Sequence, residues 1–168
     1  VQRPDEMASD QAAKLPAIQH CVRTIEETTH CEYDTIVDLD ATSPLRIIDD
    51  IHKSIEMLEN SLDTNNLITG TPSRRSPYFN LVELNEKGFV RRSKNLDNPI
   101  VRRQDSPKCF DMNASIYLWK RKAFYQAKTV ITDETRLFVM PEERSIDIDS
   151  ELDFEIVKLL MKNKELTS

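Results

Sequence analysis

Residues 33–46 read Tyr33-Asp34-Thr35-Ile36-Val37-Asp38-Leu39-Asp40-Ala41-Thr42-Ser43-Pro44-Leu45-Arg46. The first seven are short and β-branched, which predicts a buried strand over 33–39. The rest predicts a loop running into a helix start. Ser43 is placed to cap it, and Pro44 suits the first helical position, where no backbone N–H is needed. Ile47, Ile51, Ile55 and Leu58 then recur at helical spacing towards about Leu62. A strand that feeds a helix through a short loop is the repeating unit of an α/β sheet.

The flanks extend the pattern. Ser9 to Glu27 predicts a helix capped by Ser9 or Asp10, with Leu15, Ile18, Val22 and Ile25 on one face. Pro16 inside it implies a kink or a later start. Downstream, 66–71 (NLITGT), 113–119 (NASIYLW) and 136–140 (RLFVM) read as strands. Tyr78–Leu84 and Phe89–Arg92 flank Asn85-Glu86-Lys87-Gly88, a hairpin signal. A short helix follows from Lys120 to about Ala127. Ser150 caps a last helix, Glu151 to about Lys164, with Leu152, Ile156, Leu159 and Leu160 facing inward and Asp153 close to a capping-box position. Early alternation thus gives way to a strand-rich middle: an α/β fold whose sheet carries an inserted β-rich segment.

Composition narrows the chemistry. The chain has 168 residues, enough for one self-sufficient core, and only two glycines, Gly70 and Gly88. A phosphate-cradling loop needs clustered glycines so that backbone N–H groups can approach the anion, so neither Walker A nor G-x-G-x-x-G fits within this chain. No apolar run approaches a membrane span and no signal peptide is visible. Cys21, Cys31 and Cys109 are odd in number and lack metal-ligand spacing, which suggests free thiols in a reducing cytoplasm. The His20-Cys21 and His30-Cys31 pairs fall short of a tetrahedral zinc set. The net charge of −6 hides a basic middle: residues 71–128 hold 13 Lys and Arg against 5 Asp and Glu. Tyr78, Phe79, Phe89 and Phe110 do not interleave with it at an RNA-binding spacing, so a small phosphorylated or carboxylated ligand suits it better than nucleic acid.

Three segments carry chemistry. In Ser145-Ile146-Asp147-Ile148-Asp149, alternate residues of an extended chain share a face, so Asp147 and Asp149 point together while Ile146 and Ile148 point inward. Two carboxylates on one face suit a hard cation such as Mg²⁺, completed by substrate phosphates. Simple solvation, or Asp149 acting as a cap, is the alternative. Asp40-Ala41-Thr42-Ser43-Pro44-Leu45-Arg46 lies at a strand's C-terminal end, where open α/β sheets bind ligands, although good capping alone would also explain it. Arg102-Arg103-Gln104-Asp105-Ser106-Pro107 offers guanidinium forks for a carboxylate or phosphate, or a surface salt-bridge region. Asn113, Ser115 and Tyr117 alternate onto one strand face, placing amide and phenol groups together.

In this order these segments resemble the acylneuraminate cytidylyltransferases, the CMP-sialic acid synthetase family. Arg3-Pro4-Asp5-Glu6-Met7-Ala8-Ser9-Asp10 looks like the family's R-P-x-E-L-A-x-D, and Thr42-Ser43-Pro44-Leu45-Arg46 like its Q-P-T-S-P-L-R. Arg103-Gln104, Pro107, Asn113 and Tyr117 match R-Q-x-x-P and N-G-A-x-Y. Ser145 to Asp149 with Asp153 matches S-x-D-I-D-x-x-x-D. The resemblance spans nearly the whole chain. It implies a nucleotide-diphospho-sugar-transferase-like, Rossmann-like mixed sheet. It also implies a β-rich dimerisation segment within about 85–140 of a single domain covering 1–168.

The implied reaction joins a nine-carbon sugar acid to CTP, releasing pyrophosphate from a cytoplasmic homodimer. The resemblance assigns Asp147 and Asp149 as Mg²⁺ ligands and catalytic residues, Asp149 nearest the nucleophile. It assigns Arg103 to the sugar carboxylate, and Asn113 and Tyr117 to the sugar's polar edge, with Gln104 and Asp40 also in the substrate site. Val130 and Ile131 fall where the family reaches a partner's sugar pocket. Asp40 stands where sialate enzymes carry Gln. An ionised Asp accepts but cannot donate, so the sugar group facing it should differ. With Arg74-Arg75-Ser76-Pro77-Tyr78-Phe79-Asn80 it points to the bacterial legionaminic acid branch. Ala114 replaces the family's Gly, which narrows the approach to the sugar. The family's first strand and its Gly/Lys/Arg-rich CTP loop have no counterpart here. The expectation is therefore an N-terminally truncated domain lacking its first βα unit and inactive alone. The competing expectation is a catalytically incompetent dimer or sugar-acid-binding module.

Overall fold

A computed structural model describes residues 1–8, 13–96 and 102–165; the side chains of Arg103 and of residues 163–165 fall outside the description. Ser9 and Asp10, the expected caps, also lie outside it. The first helix, α1, spans Lys14–Thr29. Of the two alternatives that Pro16 left open, the later start is the one found. Proline is tolerated in a first turn because that turn's N–H groups have no intrahelical acceptor. Leu15 is buried, with Ile18 and Val22 packed beside it, while Ile25 is exposed.

Strand β1 (Thr35–Leu39) leads through the 40–47 loop to α2 (Ile48–Glu59). This corrects the expected start at Ser43-Pro44. Ser43 is buried and donates to the Asn113 carbonyl (3.2 Å), so it ties the loop to the sheet and caps nothing. The helix-start acceptor is Asp50, which takes the Ile47 N–H at 3.0 Å. Then follow β2 (Asn66–Pro72), β3 (Val82–Leu84), β4 (Val90–Arg92), β5 (Phe110–Lys120), α3 (Arg121–Gln126), β6 (Thr135–Val139) and α4 (Glu151–Glu165).

The main sheet has the order β1-β5-β2-β6. Strand β5 runs antiparallel to both neighbours, and β2 and β6 are parallel. One face packs Leu15, Ile36, Ile68, Tyr117, Trp119 and Phe124 beneath α1 and α3. The other packs Leu58, Leu67, Ile116, Leu118 and Met140 beneath α2. This is the expected mixed α/β sheet with helices on both faces. The separate piece is the β3–β4 hairpin, whose Gly88 takes φ 79° in the turn. Within 85–140, β5 and β6 are strands of the main sheet, so among the described residues the strand that lies outside it there is β4 of the hairpin.

Of the expected inward face of α4, only Leu160 is even half-buried. Val157 is buried, but Leu152 is 69% exposed and Leu159 59% exposed, and Ile156 is exposed as well. Helical spacing identifies an apolar stripe but not what covers it. The cap is as expected: Ser150 Oγ accepts the Asp153 N–H (3.3 Å) and donates to Asp153 Oδ2 (2.6 Å). Among the described residues no helix is long and apolar enough to cross a membrane.

Candidate functional site

The site is built around an interruption in β5. Pairing with β2 slips between Ile68 and Gly70: Ile68 faces Tyr117, but Gly70 faces Met112. The surplus residues of β5 bulge, and Ala114 within the bulge takes φ 50°. Thr69 replaces the lost ladder with its side chain. Its Oγ1 accepts the Ile116 N–H (3.0 Å) and donates to Asn113 Oδ1 (2.7 Å). Bulges of this kind re-aim side chains and recur beside active sites.

The bulge corrects the one-face reading of Asn113, Ser115 and Tyr117. Tyr117 lies on the α1 face, whereas Asn113 turns towards Met140, which packs on the α2 face. A left-handed residue between them breaks the period of two that the expectation relied on. Asn113 is buried and fully engaged. Its Nδ2 donates to Ser145 Oγ (2.9 Å), its Oδ1 accepts from Thr69, and its carbonyl accepts from Ser43. It therefore holds three segments together, whereas Tyr117 is buried beside Lys14.

The 40–46 and 145–149 segments meet directly, since the Ile148 N–H donates to the Thr42 carbonyl at 2.9 Å. Arg46 closes the first loop from inside, donating to the carbonyls of Asp40 (2.6 Å) and Ser43 (2.7 Å). Arg144 anchors the second through a two-pronged ion pair with buried Asp50, at 2.9 and 2.8 Å. The Arg144 anchor did not stand out in the sequence, because its partner lies in a different element. Asp50 was legible only as an acidic residue in the first turn of a helix.

The electrostatics are those of a carboxylate cluster. Burial pushes the Asp147 carboxyl above its ordinary range, and Asp149, Asp153 and Asp40 push it in the same direction. Ile146, Asp147 and Ile148 are all half-buried and Asp149 is exposed, so the expected in–out alternation is blurred. Burial also raises the Tyr117 phenol. Lys14 Nζ sits 2.9 Å from both Asp38 Oδ2 and Asp40 Oδ2 and 4.9 Å from the Tyr117 ring centroid. Its hydrogen bond holds Asp40 below the usual carboxylate range. Among the described residues, no lysine or arginine pairs with Asp147 or Asp149. No group of three or more His, Cys, Asp or Glu stands ready to hold a metal ion there either. The donor set fits a hard cation that takes two carboxylates here and its remaining ligands from substrate oxygens.

Gln104 lies elsewhere. It lines a groove of about 620 Å³ with Ser73, Arg75, Ser106 and Lys108, near the root of the hairpin. The Arg103 backbone belongs to the adjoining helical turn, 103–105. Val130 packs against the α1-face core, and Ile131 is exposed. Much of the basic middle is internally paired, including Arg91 with Glu83, Arg102 with Asp105, and Arg121 with Glu26.

No family model matches the chain. Known relatives do. A post-translational flagellin modification protein B from Campylobacter coli is 47% identical over 98% of this chain and 68% of its own length. A CMP-N,N′-diacetyllegionaminic acid synthase from Campylobacter jejuni is 44% identical over the same shares. An N-acylneuraminate cytidylyltransferase from Streptococcus agalactiae is 26% identical over 92% of this chain and 35% of its own length. Among solved structures, a 4-diphosphocytidyl-2C-methyl-D-erythritol synthase aligns with TM-score 0.59 at 17% identity, covering 89% of this chain and 67% of the other. A CMP:2-keto-3-deoxy-manno-octonic acid synthetase aligns with TM-score 0.56 at 14% identity, covering 92% and 70%. These two establish the fold alone.

Proposed function

Since the chain belongs to the acylneuraminate cytidylyltransferase family, within which it is similar to a CMP-legionaminic acid synthase, we propose that it joins a nonulosonic acid to CTP. The products are the CMP-sugar and pyrophosphate. The observation that carries this reading is the junction of the 40–46 and 145–149 segments, which gathers Asp40, Asp147, Asp149 and Asp153 beside Tyr117.

The sugar's anomeric hydroxyl attacks the α-phosphorus in line. A new O–P bond forms, the bond to the bridging oxygen breaks, and pyrophosphate leaves with that electron pair. Asp149, the position that the family motif puts nearest the nucleophile, would accept the hydroxyl proton. Such a reaction needs positioning and charge neutralisation more than covalent help. Asp147 and Asp149 would hold Mg²⁺, which would neutralise phosphate charge when bound. The sugar carboxylate is assigned to Arg103 by the family motif, whereas Gln104 lines the groove at the hairpin root. Tyr117 and Asp40 face the sugar's polar edge, and Asn113 positions the loops around it.

The partner is a second copy of the chain. Leu84, Phe89 and Val90 of the hairpin are exposed, an apolar surface that suits association better than solvent. The three free thiols suit the cytoplasm, where we place the reaction.

The test is CTP- and Mg²⁺-dependent pyrophosphate release with N,N′-diacetyllegionaminic, N-acetylneuraminic and pseudaminic acids. Release with at least one acid, and none without acid, is expected. Absence of release with all three overturns the transferase reading. The chain spans about two thirds of the first two relatives' length (68%), and a second reading is a sugar-acid-binding module without transfer. Binding of an acid without pyrophosphate release would select it.

A further inference from the structure

Resting on the cytidylyltransferase reading, we propose that Lys14 determines which sugar acid the site accepts, donating a hydrogen bond to an acyl-amide carbonyl of the substrate. Asp40 anchors the Lys14 ammonium. Its Oδ2 accepts from Lys14 Nζ (2.9 Å), and its Oδ1 accepts from the Thr42 N–H (3.2 Å) and hydroxyl (3.1 Å). Both oxygens already have protein donors. The carboxylate that faces the sugar in the sequence is thus occupied, and the group it displays is the ammonium that it holds.

The ammonium has three N–H donors. Asp40 accepts one at 2.9 Å, and Asp38 Oδ2, also 2.9 Å away, holds the ammonium as an ion pair without hydrogen-bond geometry. A further N–H has no acceptor among the described residues, and the side chain is 48% exposed. Two anchors fix the flexible stem, and the Tyr117 ring 4.9 Å away provides a wall. A cation held in this way is a positioned donor, in contrast to a mobile surface lysine.

The charge around it selects the acceptor. Lys14 with Asp38 and Asp40 carries a net charge of −1, and Asp147 adds to it. A substrate carboxylate would be repelled there. A neutral acceptor is not, and among neutral sugar acceptors an amide carbonyl has the strongest dipole. The acyl methyl then lies towards the Tyr117 ring, which is mostly buried and apolar.

The test is calorimetric titration of the purified chain with three acids. N,N′-diacetyllegionaminic acid carries two acyl amides, N-acetylneuraminic acid one, and 2-keto-3-deoxy-manno-octonic acid none. Lys14→Met is expected to weaken the first two by about 10- to 100-fold, the range for losing one charged hydrogen bond, and to leave the third within about 2-fold. Lys14→Arg should recover most of the affinity. Asp40→Asn releases one anchor while keeping an acceptor for Thr42, and should give a smaller loss with the same selectivity. A melting curve for each variant establishes that it folds. Equal weakening of all three acids, or none, overturns the role of Lys14 and leaves the transferase reading standing. Failure of the unsubstituted chain to bind any of the acids overturns both.

Discussion

The Glu26 clamp allows a stability prediction with a worked magnitude. Glu26 lies on α1, its side chain only 8% exposed. It accepts from Arg121 Nε (2.9 Å) and Nη2 (3.0 Å), from the Tyr125 hydroxyl (2.7 Å), and from the Tyr33 N–H (3.1 Å). It therefore locks α1 to α3 and to the entry of β1. The Arg121 and Tyr125 hydrogen bonds, against an opposing burial cost, lower its pKa from 4.5 to about 2. Glu26 in turn helps burial to raise the Tyr125 phenol to about 12.

A shift of about 2.5 units at 1.36 kcal/mol each gives an upper figure of about 3 kcal/mol. Solvent reaches the Arg121 side of the pair, so about 2 kcal/mol is the realistic share. The folded pKa is depressed. The contribution is therefore complete above 4.5, the ordinary value, and is lost as pH falls from there through about 2. Glu26→Gln should lower stability by about 2 kcal/mol at pH 7, or Tm by roughly 4–8 °C in a domain of this size. Urea melts of both proteins from pH 7 to pH 2 measure the difference. The gap should close as the pH approaches 2, because a protonated Glu is as neutral as Gln. A gap that stays constant with pH would show that shape, not charge, holds the clamp, and would refute the reasoning.

The remaining predictions concern backbone and site. A Cβ at Gly70 would lie 2.7 Å from the Asp111 carbonyl oxygen, a backbone atom that cannot swing aside, so Gly70→Ala should cost at least about 2 kcal/mol in chemical denaturation. An unchanged midpoint would mean that the bulge relaxes freely. Ala114→Gly relieves a left-handed residue worth about 1–2 kcal/mol and adds unfolded-state entropy of about 0.4–1 kcal/mol, so a gain of up to about 1 kcal/mol is expected. Asp147→Asn removes like-charge repulsion and should raise Tm without metal while abolishing the rise with Mg²⁺. For the unsubstituted chain that rise is about 1.4 kcal/mol at tenfold excess over Kd, and an undiminished Mg²⁺ response in the variant would refute the ligand assignment. Leu84→Lys with Phe89→Glu should shift the sedimentation coefficient of a hairpin-mediated dimer to that of a monomer, and an unchanged dimer would move the interface elsewhere.

What was legible in the sequence follows the range of the interactions involved. The strand over 33–39, the hairpin turn around Gly88 and the Ser150–Asp153 cap all depend on residues a few positions apart and are found where expected, although the hairpin's first strand begins at Val82 and not at Tyr78. The site depends on longer links. Asn113 reaches Ser145 and Ser43, Arg144 reaches Asp50, and Lys14 reaches Asp40. No local pattern encodes such pairs. Ser43 shows the consequence: its type and its Pro44 neighbour satisfy every rule for an N-cap, yet its hydroxyl is taken by a carbonyl seventy residues away. The same competition accounts for the reading of Asn113 to Tyr117. Alternation is a property of a regular strand, and one residue at φ 50° reverses it. The departures from local rules at Ala114, Ser43 and Asp147 gather where the two loops meet, which is where a site favours geometry over local preference. That clustering supports placing the chemistry there independently of any relative's name.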